Sequence, residues 1–119
     1  MDNKILIGKF GQQLAAEFLQ KRNYIILLPN FYSRFGEIDL VAEKDRQIIF
    51  VEVKTRLGRN FGLPEDALNF NKSKKIKDTA LEYLTKNNIN SDNYRFDLVA
   101  IEIDKIKKRA QIRHYKNVI

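Results

Sequence analysis

Two short segments hold residue types that could do chemistry together: Gly36-Glu37-Ile38-Asp39-Leu40 and Val51-Glu52-Val53-Lys54. Each reads as part of a strand. The two-residue period of a strand sets Glu37 and Asp39 on one face, with Ile38 and Leu40 on the other. The same period puts Glu52 and Lys54 on a face with Ile48 and Phe50. If the two strands are neighbours, Asp39 and Glu52 approach at the strand ends beside a loop. Carboxylates so placed raise one another's pKa, and burial penalises both charges. A divalent cation relieves that repulsion, and Mg²⁺ or Mn²⁺ is the match because each takes hard oxygen ligands and keeps positions free for a phosphate oxygen. Lys54 is placed to orient or deprotonate an attacking water, or to hold the charge of a phosphorane-like transition state. Together these groups form a set for metal-assisted phosphodiester hydrolysis. The competing reading is structural: a Glu52–Lys54 ion pair, with Asp39 held by Arg34, Arg46 or Arg56. It accounts less well for charges that interrupt a strand apolar on both faces.

The elements that must position these groups follow from hydrophobic period. Ile7, Phe10, Gly11, Leu14, Ala15, Phe18 and Leu19 recur at steps of three and four, which predicts a helix over 3–21 ended by Lys21-Arg22-Asn23. A short β run, Tyr24 to Leu28, is closed by Pro29-Asn30; strands over 36–42 and 47–54 are joined by the polar turn Glu43-Lys44-Asp45-Arg46. Thr55 to Leu63 reads as a loop, and Pro64 opens a short helical turn with Glu65 and Asp66 at its positive end. A second helix over 71–86 turns Ile76, Ala80, Tyr83 and Leu84 inward and Lys74 and Lys77 outward. Strands over 95–103 and 110–115 complete the order α-β-β-β-α-β-β, an α/β (mixed α+β) domain with helices packed on a mixed sheet.

Composition bounds the rest. The 119 residues form one domain, 1–119, with no repeat or linker. With 22 Lys+Arg against 15 Asp+Glu the chain carries +7 and a pI near 9.7, so a polyanionic partner is favoured. A hydrophobic fraction of 44% with eight Phe and five Tyr supplies an ordinary core. The absence of Cys excludes a disulfide framework, a thiolate zinc site and a thiol nucleophile. One His, His114, leaves little for imidazole chemistry, and no role is assigned to it. No apolar run reaches the roughly 20 residues of a membrane span, and the N-terminus lacks a signal-peptide core, so the expected location is the cytoplasm, with no membrane partner.

The wider motif string carries a resemblance. Asp39 followed by Glu52-Val53-Lys54 looks like the bipartite motif of the PD-(D/E)XK nucleases, the restriction-endonuclease-like superfamily. Taken with Gly8-x-x-Gly11, Ala15, Leu19, Asn30, Gly36-Glu37-Ile38-Asp39-Leu40, Phe50 to Arg56, Phe61-Gly62, Lys72 and Arg95-Phe96-Asp97-Leu98-Val99, it resembles the bacterial YraN family, which is similar to archaeal Holliday-junction resolvases. The resemblance implies a restriction-endonuclease-like core, a metal site at Asp39, Glu52 and Lys54, and branched or structured DNA as substrate. It also marks a departure. YraN-like sequences usually carry Glu directly after the second glycine of the first helix, and here that residue is Gln12. Gln12 would offer the metal a neutral amide oxygen, with weaker affinity; equally, it would cap the edge of a packed helix face.

Further candidates flank this set. Glu37 is either an acid supporting Asp39 or a partner for Arg34. Arg56, two residues past Lys54, is a candidate for the scissile phosphate. Lys72 lies in line with Ile76, Thr79 and Tyr83, so it can reach the site mouth or snorkel at the helix start. Lys74 and Lys75 add phosphate-binding charge of a kind that carries no sequence information. Asp97 beside Arg95 reads as a structural ion pair. The reading is therefore a metal-dependent nuclease on DNA, with a homodimer expected if two strands are to be cut. The alternative is a non-catalytic nucleic-acid-binding module that keeps the fold and has weakened chemistry at Gln12.

Overall fold

In a computed structural model, residues 3–58, 62–67 and 70–119 are described. Phe61 of the motif string lies outside them. Helix α1 (Asn3–Gln20) precedes strands β1 (Ile25–Ser33), β2 (Gly36–Lys44) and β3 (Gln47–Leu57). A 3₁₀ turn (Pro64–Ala67), helix α2 (Phe70–Lys86), β4 (Tyr94–Asp104) and β5 (Arg109–Tyr115) follow, in the order expected from the sequence. The five strands form one sheet in the order β1-β2-β3-β4-β5. All neighbours are antiparallel except β3 and β4, which run parallel because α2 carries the chain back between them.

Each helix covers one face of the sheet. Ala15 and Leu19 of α1 pack on Leu40, Ala42, Ile49, Val51, Val99 and Ile101. Ile76, Ala80, Tyr83 and Leu84 of α2 pack on Phe31, Ile38, Val41, Ile48, Phe50 and Phe96, with Phe50 stacked on Phe96 at 5.5 Å. The central strand β3 is thus apolar on both faces, Ile48 and Phe50 towards α2, Ile49 and Val51 towards α1. Phe10 departs from the expected inward stripe of α1; it is 51% exposed.

Three features of the strands differ from the sequence reading. β1 does not stop at Pro29-Asn30 but runs on to Ser33; as an edge strand it has no outer neighbour to need the missing proline N–H. β3 does not give way to a loop at Thr55, because the parallel ladder with β4 holds it as far as Leu57, opposite Ile103. The third difference bears on the site. Ile38 lies in the α2-side core and Leu40 in the α1-side core, so they do not share a face as strict alternation requires. The period breaks at Asp39. Opposite it, between the pairs Pro29–Leu40 and Phe31–Ile38, stands Asn30 with a left-handed φ of 55°. Asn is among the few residues that accept that conformation, and such irregularities re-aim side chains beside functional sites.

Candidate active site

β2 and β3 pair as far as Leu40 and Val51, and the next residues outward are Asp39 and Glu52. Here the backbone ladder gives way to a side chain: Asp39 Oδ2 accepts the Val53 N–H at 2.7 Å. Glu52 is not at a strand end, as the sequence suggested, but midway along β3, where pairing with β2 stops and pairing with β4 continues; its side chain is only 8% exposed, and the Lys72 ammonium stands 2.8 Å from its Oε1. Lys72 belongs to the first turns of α2, whose packing on the sheet brings it over β3. Lys54, two residues past Glu52, is half-buried and lies beside Lys72. The fold thus brings Asp39, Glu52 and Lys54 together, and of the two positions the sequence left open to Lys72 it takes the one at this group.

The charges act strongly on one another. Burial, then the negative charge of Glu52, pushes the Asp39 carboxyl up to about 7, against the Val53 hydrogen bond and the Lys54 charge, which pull it down. Glu37 adds to the upward push. Burial lowers the pKa of Lys54, and the adjoining Lys72 and the charge of Arg56 lower it further. Burial also works against a charge on Lys72, but its contacts with Glu52 and Lys54 outweigh that and raise its pKa. The result is a carboxyl poised near neutrality beside a lysine whose proton is loosened.

Other residues named from the sequence sort themselves by distance from this centre. Gln12 and Glu37 line a cleft of about 560 Å³ that opens on Asp39 between α1 and the β1–β2 hairpin. The close approach that brings α1 there depends on Gly11, where a Cβ would fall 1.8 Å from Thr55 Oγ1 on β3. Arg56 follows Lys54 along β3 and bonds the Thr55 carbonyl at 3.3 Å. Lys74 points outward and pairs with Asp78 one helical turn on, at 3.3 Å, and Lys75 is exposed beside it; neither joins the Asp39–Glu52–Lys54 group.

Among the described residues no group of three His, Cys, Asp or Glu converges. A cation here would have the Asp39 and Glu52 carboxylates as oxygen donors, with water completing the shell; Gln12 lines the same cleft as Asp39. That donor set fits Mg²⁺ or Mn²⁺, which are commonly held by one or two carboxylates and keep several waters. It does not fit a soft metal or a closed protein cage.

Two polar networks reach beyond the sequence reading, which held only the Arg95–Asp97 pair. Glu65 of the 3₁₀ turn accepts from Arg113 Nη2 at 2.9 Å and from the Tyr115 hydroxyl at 2.7 Å, and Arg113 also reaches Glu102 at 3.2 Å. This ties the turn between β3 and α2 to β5. Nothing local signals a pairing across so much chain. The second network centres on Asp97, which is fully buried and takes Arg95 at 2.9 Å, His114 Nε2 at 2.7 Å and the Asn117 N–H at 2.9 Å. Asp97 is structural, as expected, and His114 is its buried partner.

Comparison with known proteins assigns the chain to a family. A family model described as "Uncharacterised protein family UPF0102" matches residues 11–101. The chain belongs to this family. It is the YraN family of the sequence resemblance. A UPF0102 protein of Caldicellulosiruptor bescii is 49% identical over 100 residues, 82% of this chain and 83% of its own. A UPF0102 protein of Caldanaerobacter subterraneus subsp. tengcongensis is 43% identical over 116 residues, covering 97% of this chain and 95% of its own. One from Clostridium botulinum is 40% identical over 112 residues, 93% and 91% of the two chains. The family match thus takes in Asp39, Glu52, Lys54 and Lys72 alike.

Proposed function

We propose that the protein is a metal-dependent nuclease acting on DNA, hydrolysing phosphodiesters in branched or structured DNA in the cytoplasm. The observation that carries this reading is the convergence, where β2 and β3 cease to pair, of two repelling carboxylates, Asp39 and Glu52, with a lysine of lowered pKa. Asp39 and Glu52 would hold Mg²⁺ or Mn²⁺, with Gln12 lining the cleft that opens on Asp39. Once bound, the cation would polarise the scissile phosphate and neutralise the charge that develops on it. Lys54, in its neutral form, takes at Nζ the proton of the attacking water. Arg56 and Lys72 hold phosphate oxygens on the α2 side. Cutting two strands of a junction needs two copies of the site, which makes a homodimer on DNA part of the proposal.

The test is a cleavage panel of single-stranded, duplex, flap and four-way DNA with Mg²⁺ and Mn²⁺. Metal-dependent cutting of the branched forms supports the reading, and no cleavage of any substrate with either metal overturns it. A second reading, a nucleic-acid-binding module without efficient chemistry, is favoured by Gln12 standing where the family usually has an acid. Calorimetric titration with Mn²⁺ separates the two. Saturable binding lost in Asp39→Asn and Glu52→Gln supports the nuclease, and its absence in the wild type supports the binding module.

A further inference from the structure

The cleft that opens on Asp39 differs in chemistry from the lysine side of the site. Amides and apolar surface make up much of its wall: Gln12 and Gln13 of α1 and Asn30 and Tyr32 of β1 line it with Ile5, and its two lysines, Lys4 and Lys9, are matched in number by the carboxylates Glu37 and Asp39. Tyr32 is 66% exposed and Ile5 54%, a large apolar area for solvent to cover. Asn30 presents its side chain from a left-handed backbone in the middle of a strand. A phosphate would be served by guanidinium and ammonium groups, as at Arg56 and Lys72. Amide side chains, which both donate and accept, together with an exposed aromatic ring, match the edge and the face of a nucleobase.

We infer that this cleft between α1 and the β1–β2 hairpin is a binding site for unpaired nucleotides next to the scissile phosphate, with Tyr32 as stacking platform and Gln13 and Asn30 as base-edge contacts. The inference rests on the nuclease reading and deepens it: the cation site lies at the junction of a base-reading cleft on the α1 side and a phosphate-holding surface on the α2 side. Bases inside a duplex cannot enter, because their edges and faces are engaged. The preference for branched DNA then has a physical source, in that strands leave the stack at a branch point. A second polar cleft, around Tyr24, Gln47 and Arg95, is unlike this one, because the Arg95 guanidinium is already bonded to Gln47, Tyr24 and Asp97.

The experiment is fluorescence anisotropy without divalent metal, on a fully paired duplex and on the same duplex carrying a single-stranded flap. Tyr32→Ala is expected to weaken flap binding about tenfold, the loss typical of one stacked base, and duplex binding less than twofold. Tyr32→Phe keeps the ring and should keep flap affinity. Asn30→Gly keeps the backbone conformation, removes the amide and should weaken the flap alone by a few-fold. Equal losses on both probes, or none on either, would overturn the inference while leaving the nuclease reading standing. A wild-type protein that binds neither probe would overturn both.

Discussion

At the residue scale the site is a set of charges that the fold holds in tension. Asp39 keeps its proton to about pH 7 in the folded chain, against 3.8 ordinarily, chiefly because burial disfavours the carboxylate. Between those two pH values the folded state binds more protons than the unfolded one, so this group's contribution to stability is complete at low pH and disappears as pH rises through about 7. Metal-free Asp39→Asn, which keeps an oxygen for the Val53 N–H, is therefore expected to melt above the wild type at pH 8. That advantage should vanish by about pH 4, a comparison thermal denaturation makes directly. Because Asp39 must lose its proton to hold a cation, Mn²⁺ affinity of the wild type should rise steeply between pH 6 and 8. These residues were legible in the sequence because charges that interrupt a strand apolar on both faces need a reason. Lys72 was legible too, since it stands in line with the buried stripe of α2. The Glu65–Arg113–Tyr115 network was not, because its members come from a short turn and a distant edge strand that only the folded sheet brings together.

At the element scale, the helix period and strand order foretold the architecture, while breaks in period escaped. Strict alternation placed Ile38 and Leu40 together, and only the left-handed Asn30 opposite Asp39 shows why they part. A sequence cannot display that break, since Asn is ordinary in turns and nothing marks it as a kink within a strand. The glycine pair of α1 makes a sharper case. Gly11 lies against Thr55, whereas a Cβ at Gly8 would meet nothing within 4 Å. Gly11→Ala should destabilise the protein by about 1–3 kcal/mol through overpacking, because α1 must move off β3. Gly8→Ala should be neutral or stabilise by up to about 1 kcal/mol, the gain of alanine over glycine within a helix. Urea denaturation of the two variants reads both effects, and the same displacement in Gly11→Ala would shift Gln12 relative to Asp39.

For the whole molecule, stability and charge follow from how acids are distributed. Hydrogen bonds from Arg113 bring Glu65 down to about 2, from 4.5. His114 and Arg95 hold Asp97 below the usual carboxylate range despite its burial. Both groups contribute stability that is present above their ordinary pKa and lost as pH falls through the folded one, opposite in sign to Asp39. Glu65→Gln should therefore lower the melting temperature at pH 6 and flatten its further fall between pH 5 and 2. The opening charge of +7 also changes meaning. With Glu52 paired to Lys72, and Glu65, Asp97 and Glu102 tied to Arg95, Arg113 and His114, few of the cations elsewhere among the described residues are offset, and on the proposed function the surface offered to DNA would be more basic than the net figure. No described helix is long and apolar enough to cross a membrane. The most direct measurement is Mn²⁺-dependent cutting of a four-way DNA junction by the wild type, Asp39→Ala and Lys54→Ala, each shown by circular dichroism to be folded. Strand cleavage by the wild type that disappears in both variants is the expected result, and cleavage that persists in both would contradict the account.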